Sequence, residues 1–186
     1  WVREAVKGNA GIKYPFHISE YAHSMGNAAG NLIDYWKAIE STNFFCGGAI
    51  WDWIDQAMYY YNEKGERFMA YGGDFGDFPN DGQFVMNGII FANMQPKPQY
   101  YEVKKVYQNI QVDSVDMLKG EVSVFNKQYF EDLSQYDAKW SLYRNGKPIK
   151  TGLVNVGTLG ARQRKTIQIP LQYASLDADA EYFVKL

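Results

Sequence analysis

The chain has 186 residues, with 19 basic and 21 acidic side chains giving a net charge of −2, and it is 46 % hydrophobic. That length suits one large or two small domains, each with a real core. The near-balanced charge excludes a general field that would draw the chain to nucleic acid or to an anionic membrane. No apolar run approaches the roughly 18 residues that span a bilayer. Cys46, the single cysteine, forbids an intrachain disulfide and, lying in an apolar run, is expected to be a buried, inert thiol. With 15 Tyr and 5 Trp, the aromatic share fits either rings that stack on sugars or a ring-rich core.

Trp1, Val2, Ala5 and Val6 recur at helical spacing, so the chain opens on the end of a helix, stopped by Gly8-Asn9-Ala10-Gly11. Tyr14-Pro15-Phe16-His17-Ile18 then reads as a buried strand, with His17 structural and Glu20 at the strand end. Asn27 caps a helix over 28–41 that carries Leu32, Tyr35, Trp36 and Ile39 on one face. Residues 44–51 form a second strand, apolar as parallel strands covered on both faces are. Strand, helix and strand predict a right-handed parallel unit, with Glu20 and Trp51-Asp52-Trp53 emerging at one rim. In a (β/α) barrel that rim carries the chemistry.

Segments 58–61 and 67–71 flank Asn62-Glu63-Lys64-Gly65-Glu66, a hairpin with a solvated tip. The loop over 72–95 is too long to be a plain connection, and its Phe75, Phe78, Phe84, Val85 and Met86 predict order. Asp52, Asp55, Asp74, Asp77 and Asp81 lack the twelve-residue spacing and closing glutamate of a calcium loop. Gly47-Gly48 and Gly72-Gly73 lack the Gly-Lys-Ser/Thr of a phosphate cradle. Pro96 and Pro98 lead into a helix over 99–110 with Val103, Val106, Tyr107 and Ile110 on its buried stripe.

Beyond Gln111 the period becomes two: Val122/Val124, Trp140/Leu142, Ile167/Ile169/Leu171 and Tyr182/Val184/Leu186. Asn145-Gly146 marks a tight hairpin. These features predict an immunoglobulin-like β-sandwich of about five visible strands, with Trp140 as its central ring and the fold cut short at Leu186. The expected domains are therefore 1–110 and 111–186, α/β followed by all-β.

Ser19-Glu20-Tyr21-Ala22-His23-Ser24-Met25-Gly26-Asn27 resembles the nucleophile segment of the LacZ-type β-galactosidases of glycoside hydrolase family 2. Gly47-Gly48-Ala49-Ile50-Trp51-Asp52-Trp53-Ile54-Asp55-Gln56 resembles the same family, as do Tyr71-Gly72-Gly73-Asp74-Phe75-Gly76-Asp77 and Met86-Asn87-Gly88, and all follow in the family's order. The resemblance implies that 1–110 is the C-terminal portion of a (β/α)8 TIM barrel and 111–186 the start of the following sandwich. It implies retaining hydrolysis of terminal β-D-galactosides through a covalent intermediate on Glu20.

The same resemblance implies that His23 hydrogen-bonds galactose hydroxyls, that Trp51 packs under the sugar, and that Asn87 with the carbonyl of Phe84 forms part of a sodium site. It implies that the Asp74-Phe75-Gly76-Asp77 signature orders its loop through backbone hydrogen bonds. The acid/base glutamate, which follows an asparagine in this family, is expected upstream of Trp1, because the sole Asn-Glu pair here is Asn62-Glu63 in the hairpin tip. The magnesium ligands and the aspartate ligand of sodium are expected upstream with it. The 186 residues alone are then expected to be inactive. Their partners would be a β-galactoside, the rest of a parent polypeptide and further copies in a homo-oligomer. A β-glucuronidase or β-mannosidase of the same family, and a non-catalytic carbohydrate-binding or assembly module, are the alternatives. The compartment is not indicated.

Overall fold

The computed structural model describes residue 7 and residues 14–171 and 176–186. The opening helix expected over 1–10 and the turn after it lie outside the described residues, Lys7 excepted. The chain divides into two compact units, 1–107 and 108–186.

In the first unit the apolar runs become β1 (Phe16–Tyr21) and β2 (Phe45–Ile50), which pair in parallel with Phe16 opposite Phe45 and Ile18 opposite Gly48. A parallel pair needs a crossover, and α1 (Leu32–Glu40) supplies it. Its apolar stripe packs inward, with Leu32 and Ile39 buried and Tyr35 and Trp36 half-buried against β1 and β2. Gly48 is needed where it stands, because a Cβ there would lie 3.0 Å from the Tyr21 ring and 3.1 Å from the Ile18 carbonyl.

The helix starts later than the sequence predicts. Ala29 (φ 64°) and Asn31 (φ 57°) are left-handed, which no right-handed helix tolerates, so Asn31 rather than Asn27 takes the N-cap position. Cys46 is also corrected: it is exposed, its Sγ donating to the Phe16 carbonyl at 3.2 Å. Alternation explains this, since Phe45 and Gly47 point to the covered face of β2 and Cys46 to the other.

Met58–Tyr61 (β3) and Arg67–Ala70 (β4) form the expected antiparallel hairpin. The loop after it is tied down locally: the Asp74 carboxylate accepts from the Tyr71 amide and that of Asp77 from the Gly73 amide, both at 2.9 Å. Gly82–Val85 is a short 3-10 turn, and Ile90 then bridges Ile54 in parallel, extending the β1–β2 arrangement. α2 (Pro98–Val106) begins on a proline, whose missing N–H costs nothing in a first turn. It ends where the Tyr107 amide donates to the Val103 carbonyl at 2.9 Å. The helix predicted to reach Ile110 therefore stops earlier, and Ile110 opens a strand. Tyr21, Leu32, Ile89, Ile90, Val103 and Val106 form the main core of this unit.

The second unit is a sandwich of two three-stranded antiparallel sheets. One has the order β5 (Ile110–Asp116), β6 (Glu121–Asn126), β9 (Arg164–Gln168); the other β10 (Tyr182–Lys185), β7 (Ala138–Arg144), β8 (Lys147–Val154). Val122, Val124 and Ile167 of one sheet meet Trp140 and Leu142 of the other in one buried cluster. Trp140 is its central ring, 2 % exposed. Asn145 (φ 47°) and Gly146 (φ 75°) both take positive φ, the tight turn that Asn-Gly favours between β7 and β8. Among the described residues six strands are present where about five were expected, the addition being β5.

Candidate functional site

The site grows from the ends of the parallel strands. β1 stops at Tyr21 because Ala22 turns left-handed (φ 48°). The Trp51 amide donates to the Tyr21 carbonyl at 3.2 Å, and the Ser24 amide to the Trp51 carbonyl at 2.8 Å, so the segment after β1 lies along the end of β2. The Trp51–Asp52 peptide is cis. From there the Asp52 amide donates to the Asn87 carbonyl at 2.8 Å and the Ile89 amide to the Asp52 carbonyl at 3.0 Å. Residues 20–24, 51–55 and 84–90, far apart in sequence, are thus laced side by side by backbone hydrogen bonds.

Glu20 is the penultimate residue of β1 and exposed, and among the described residues its carboxylate has no hydrogen-bond or ion-pair partner. Its neighbour Tyr21 faces the other way and is buried, its hydroxyl 2.6 Å from that of Tyr107 and accepting from the Trp36 indole at 2.9 Å. Burial, and after it the contact with Tyr107, pushes the Tyr21 hydroxyl well above the ordinary tyrosine range. The half-buried His23 ring lies 6.2 Å from the Phe84 ring, tilted by 33°. Trp51 keeps 41 % of its surface exposed. Asn87 is buried, its Nδ2 donating to the Phe84 carbonyl at 2.8 Å while its Oδ1 has no partner. His23, Phe84 and Asn87 are linked by these contacts, Trp51 joins them through the backbone ladder, and Glu20 enters by its place on β1. His17 lies inside β1 with its side chain exposed. Asn62-Glu63 sits in the exposed hairpin tip.

Sequence reasoning missed a buried ion pair beside these residues. Lys97 Nζ lies 2.6 Å from Asp55 Oδ1, with the side chains 9 % and 1 % exposed. The signal available was a lysine between two prolines, Pro96-Lys97-Pro98, at the start of a helix. Ser24 Oγ, Asp52 Oδ1, Asp55 Oδ2, Asn87 Oδ1 and Gln99 Oε1 are buried without partners, so orphaned polar atoms concentrate around these strand ends. Such concentration is unusual for a purely structural loop. An open cleft of about 470 Å³ is lined by Met25, Asp55, Tyr71, Met86, Phe91 and Lys97 among others, and touches the motif segments without including Glu20 or Trp51.

Comparison with known proteins bears on this arrangement. Residues 1–112 match the model of the glycosyl hydrolases family 2 TIM barrel domain, and residues 122–186 match β-galactosidase domain 4. A β-galactosidase of Priestia megaterium is 42 % identical over 169 residues, which is 90 % of this chain and 16 % of that protein. One from Photobacterium profundum is 37 % identical over 170 residues, again 90 % of this chain and 16 % of the relative. The chain therefore spans about 16 % of the length of these curated relatives. A crystal structure of a Bacteroides uniformis β-glucuronidase aligns over 98 % of this chain and 23 % of its own, with 14 % identity and a TM-score of 0.33, a likeness too slight to bear on the fold. The family model spans more than half of the sequence, and its barrel motifs are the segments laced together at the strand ends: the chain belongs to glycoside hydrolase family 2.

Proposed function

We propose that the chain carries the nucleophile side of a retaining β-galactosidase active site, with Glu20 as nucleophile. The observation that carries this reading is the ladder joining the segments of Glu20, Trp51 and Asn87: Trp51 N–H to Tyr21 O and Asp52 N–H to Asn87 O. In a retaining reaction the Glu20 carboxylate attacks the anomeric carbon while a second carboxylic acid protonates the departing glycosidic oxygen; water, deprotonated by that same group, then releases the sugar from Glu20. Exposure of Glu20 without a competing partner suits a nucleophile that must reach a substrate. The second carboxyl is assigned outside these 186 residues, since Glu63 occupies an exposed hairpin tip and the relatives extend far beyond the matched stretch. The 186 residues alone are accordingly inactive in this account.

His23, with two ring nitrogens, suits hydrogen bonding to sugar hydroxyls, and the exposed Trp51 ring offers an apolar platform to a sugar face. Sodium takes hard oxygen donors. The Phe84 carbonyl and the partnerless Asn87 Oδ1 are such donors, and turning the Asn87 amide over presents both oxygens together. These residues fit the ion, which when bound would supply positive charge beside a sugar hydroxyl. The magnesium ligands are assigned, with the second carboxyl, outside these 186 residues.

The test is to trap the intermediate. Full-length protein treated with a 2-deoxy-2-fluoro-β-galactoside bearing an activated leaving group should gain one fluorogalactosyl mass, on the peptide containing Glu20. A label on any other carboxylate would reject the assignment.

A further inference from the structure

A buried ion pair is seldom a stability device, because well-packed apolar residues in its place often serve as well. The Asp55–Lys97 pair therefore invites a different explanation, and the partners of Asp55 supply one. Its Oδ1 accepts two hydrogen bonds, from Lys97 Nζ at 2.6 Å and from the Gly88 amide at 2.9 Å. Gly88 directly follows Asn87 and is pressed onto the backbone of the β2 extension: a Cβ there would lie 2.2 Å from the Asp55 nitrogen. The Lys97 amide donates to the Ile89 carbonyl at 3.1 Å, and its ammonium lies 5.2 Å from the centre of the Phe91 ring. One carboxylate oxygen thus joins the segment after Trp51, the peptide after Asn87 and the residue that precedes α2.

We infer that Asp55 is a positioning residue for the sugar half-site, holding the Asn87–Gly88 peptide in place through the Gly88 N–H, with Lys97 as its counter-ion. The inference rests on the galactosidase reading above. Asp55 touches no substrate in this account. Its carboxylate fixes the backbone from which the Asn87 amide and the Phe84 carbonyl are presented. The charge balances the buried ammonium, and the acceptor lone pairs do the positioning.

Two double variants of the full-length enzyme separate those roles. Asp55→Asn/Lys97→Met removes both charges but keeps an acceptor for Gly88; Asp55→Leu/Lys97→Met removes both charges and the acceptor. Melting temperatures of the two should be close. The first should keep a near wild-type KM for a nitrophenyl β-galactoside, whereas the second should raise it about tenfold, the scale of one buried backbone donor left without an acceptor, with kcat changed far less. Hydrogen–deuterium exchange of the peptide over 84–90 should quicken in the second variant only. Should the Leu/Met protein fail to fold, Asp55→Val/Lys97→Met takes its place. Equal KM values in the two doubles overturn the inference, as does faster exchange with no change in KM. A wild-type enzyme that ignores β-galactosides overturns the substrate reading itself, a failure recognised without any variant.

Discussion

The hydroxyls of Tyr21 and Tyr107 meet at 2.6 Å, joined by the Trp36 indole N–H at 2.9 Å from the Tyr21 oxygen. Tyr21 follows Glu20 where β1 departs from regular register, and its ring, anchored between α1 and the end of α2, takes the buried position and leaves Glu20 exposed. Tyr21→Phe breaks both hydrogen bonds and should cost about 1–2 kcal/mol at neutral pH. The folded-state pKa of Tyr21 is raised, so the stability it contributes is fully present below the unfolded tyrosine value of about 10 and is lost as pH climbs above it toward the folded value. Thermal melts from pH 8 to 11 should show wild-type stability falling above pH 10, and a shallower fall in Tyr21→Phe. Equal slopes would remove the tyrosine from the account.

Asn87 is the only one of the proposed sugar-side residues that combines full burial with an oxygen lacking a partner. Asn87→Ala should raise KM for a β-galactoside and flatten its dependence on sodium, measured in the full-length enzyme at constant ionic strength with choline as replacement. A sodium response that survives in Asn87→Ala would place the ion elsewhere.

In the sandwich, Gly152 pairs with Trp140 across β7 and β8, and a Cβ on it would fall 2.8 Å from the indole nitrogen. The ring is 2 % exposed and has nowhere to move. Gly152→Ala should therefore destabilise the second unit by about 1–3 kcal/mol, the usual cost of overpacking, seen as a lower denaturant midpoint. An unchanged midpoint would mean that the ring relaxes freely.

Much of the fold was legible because it depends on local periodicity. The stripe of Leu32, Tyr35, Trp36 and Ile39, the alternation of Val122 and Val124, and the Asn145-Gly146 turn each encode their structure within a few residues. The errors fell where tertiary context decides. Ala29 and Asn31 adopt left-handed conformations that their side chains do not demand, and Ile110, apolar and correctly spaced for α2, pairs instead with Asn126 in β5. Cys46 lies in an apolar run yet on the uncovered face of β2. At the site, the motifs named His23, Trp51, Phe84 and Asn87, while the ladder between them joins distant segments and has no signature in spacing. Asp55 and Lys97 stand 42 positions apart, so their pairing leaves no trace in local spacing, and the structure buries them together.

The central claim is that Glu20 attacks the sugar. In the full-length protein, kcat of Glu20→Gln on a nitrophenyl β-galactoside should fall by several orders of magnitude, because the amide cannot form the glycosyl ester. The melting temperature should hold, since Glu20 is exposed and its carboxylate has no partner among the described residues. A folded Glu20→Gln enzyme with near-normal kcat would contradict the account.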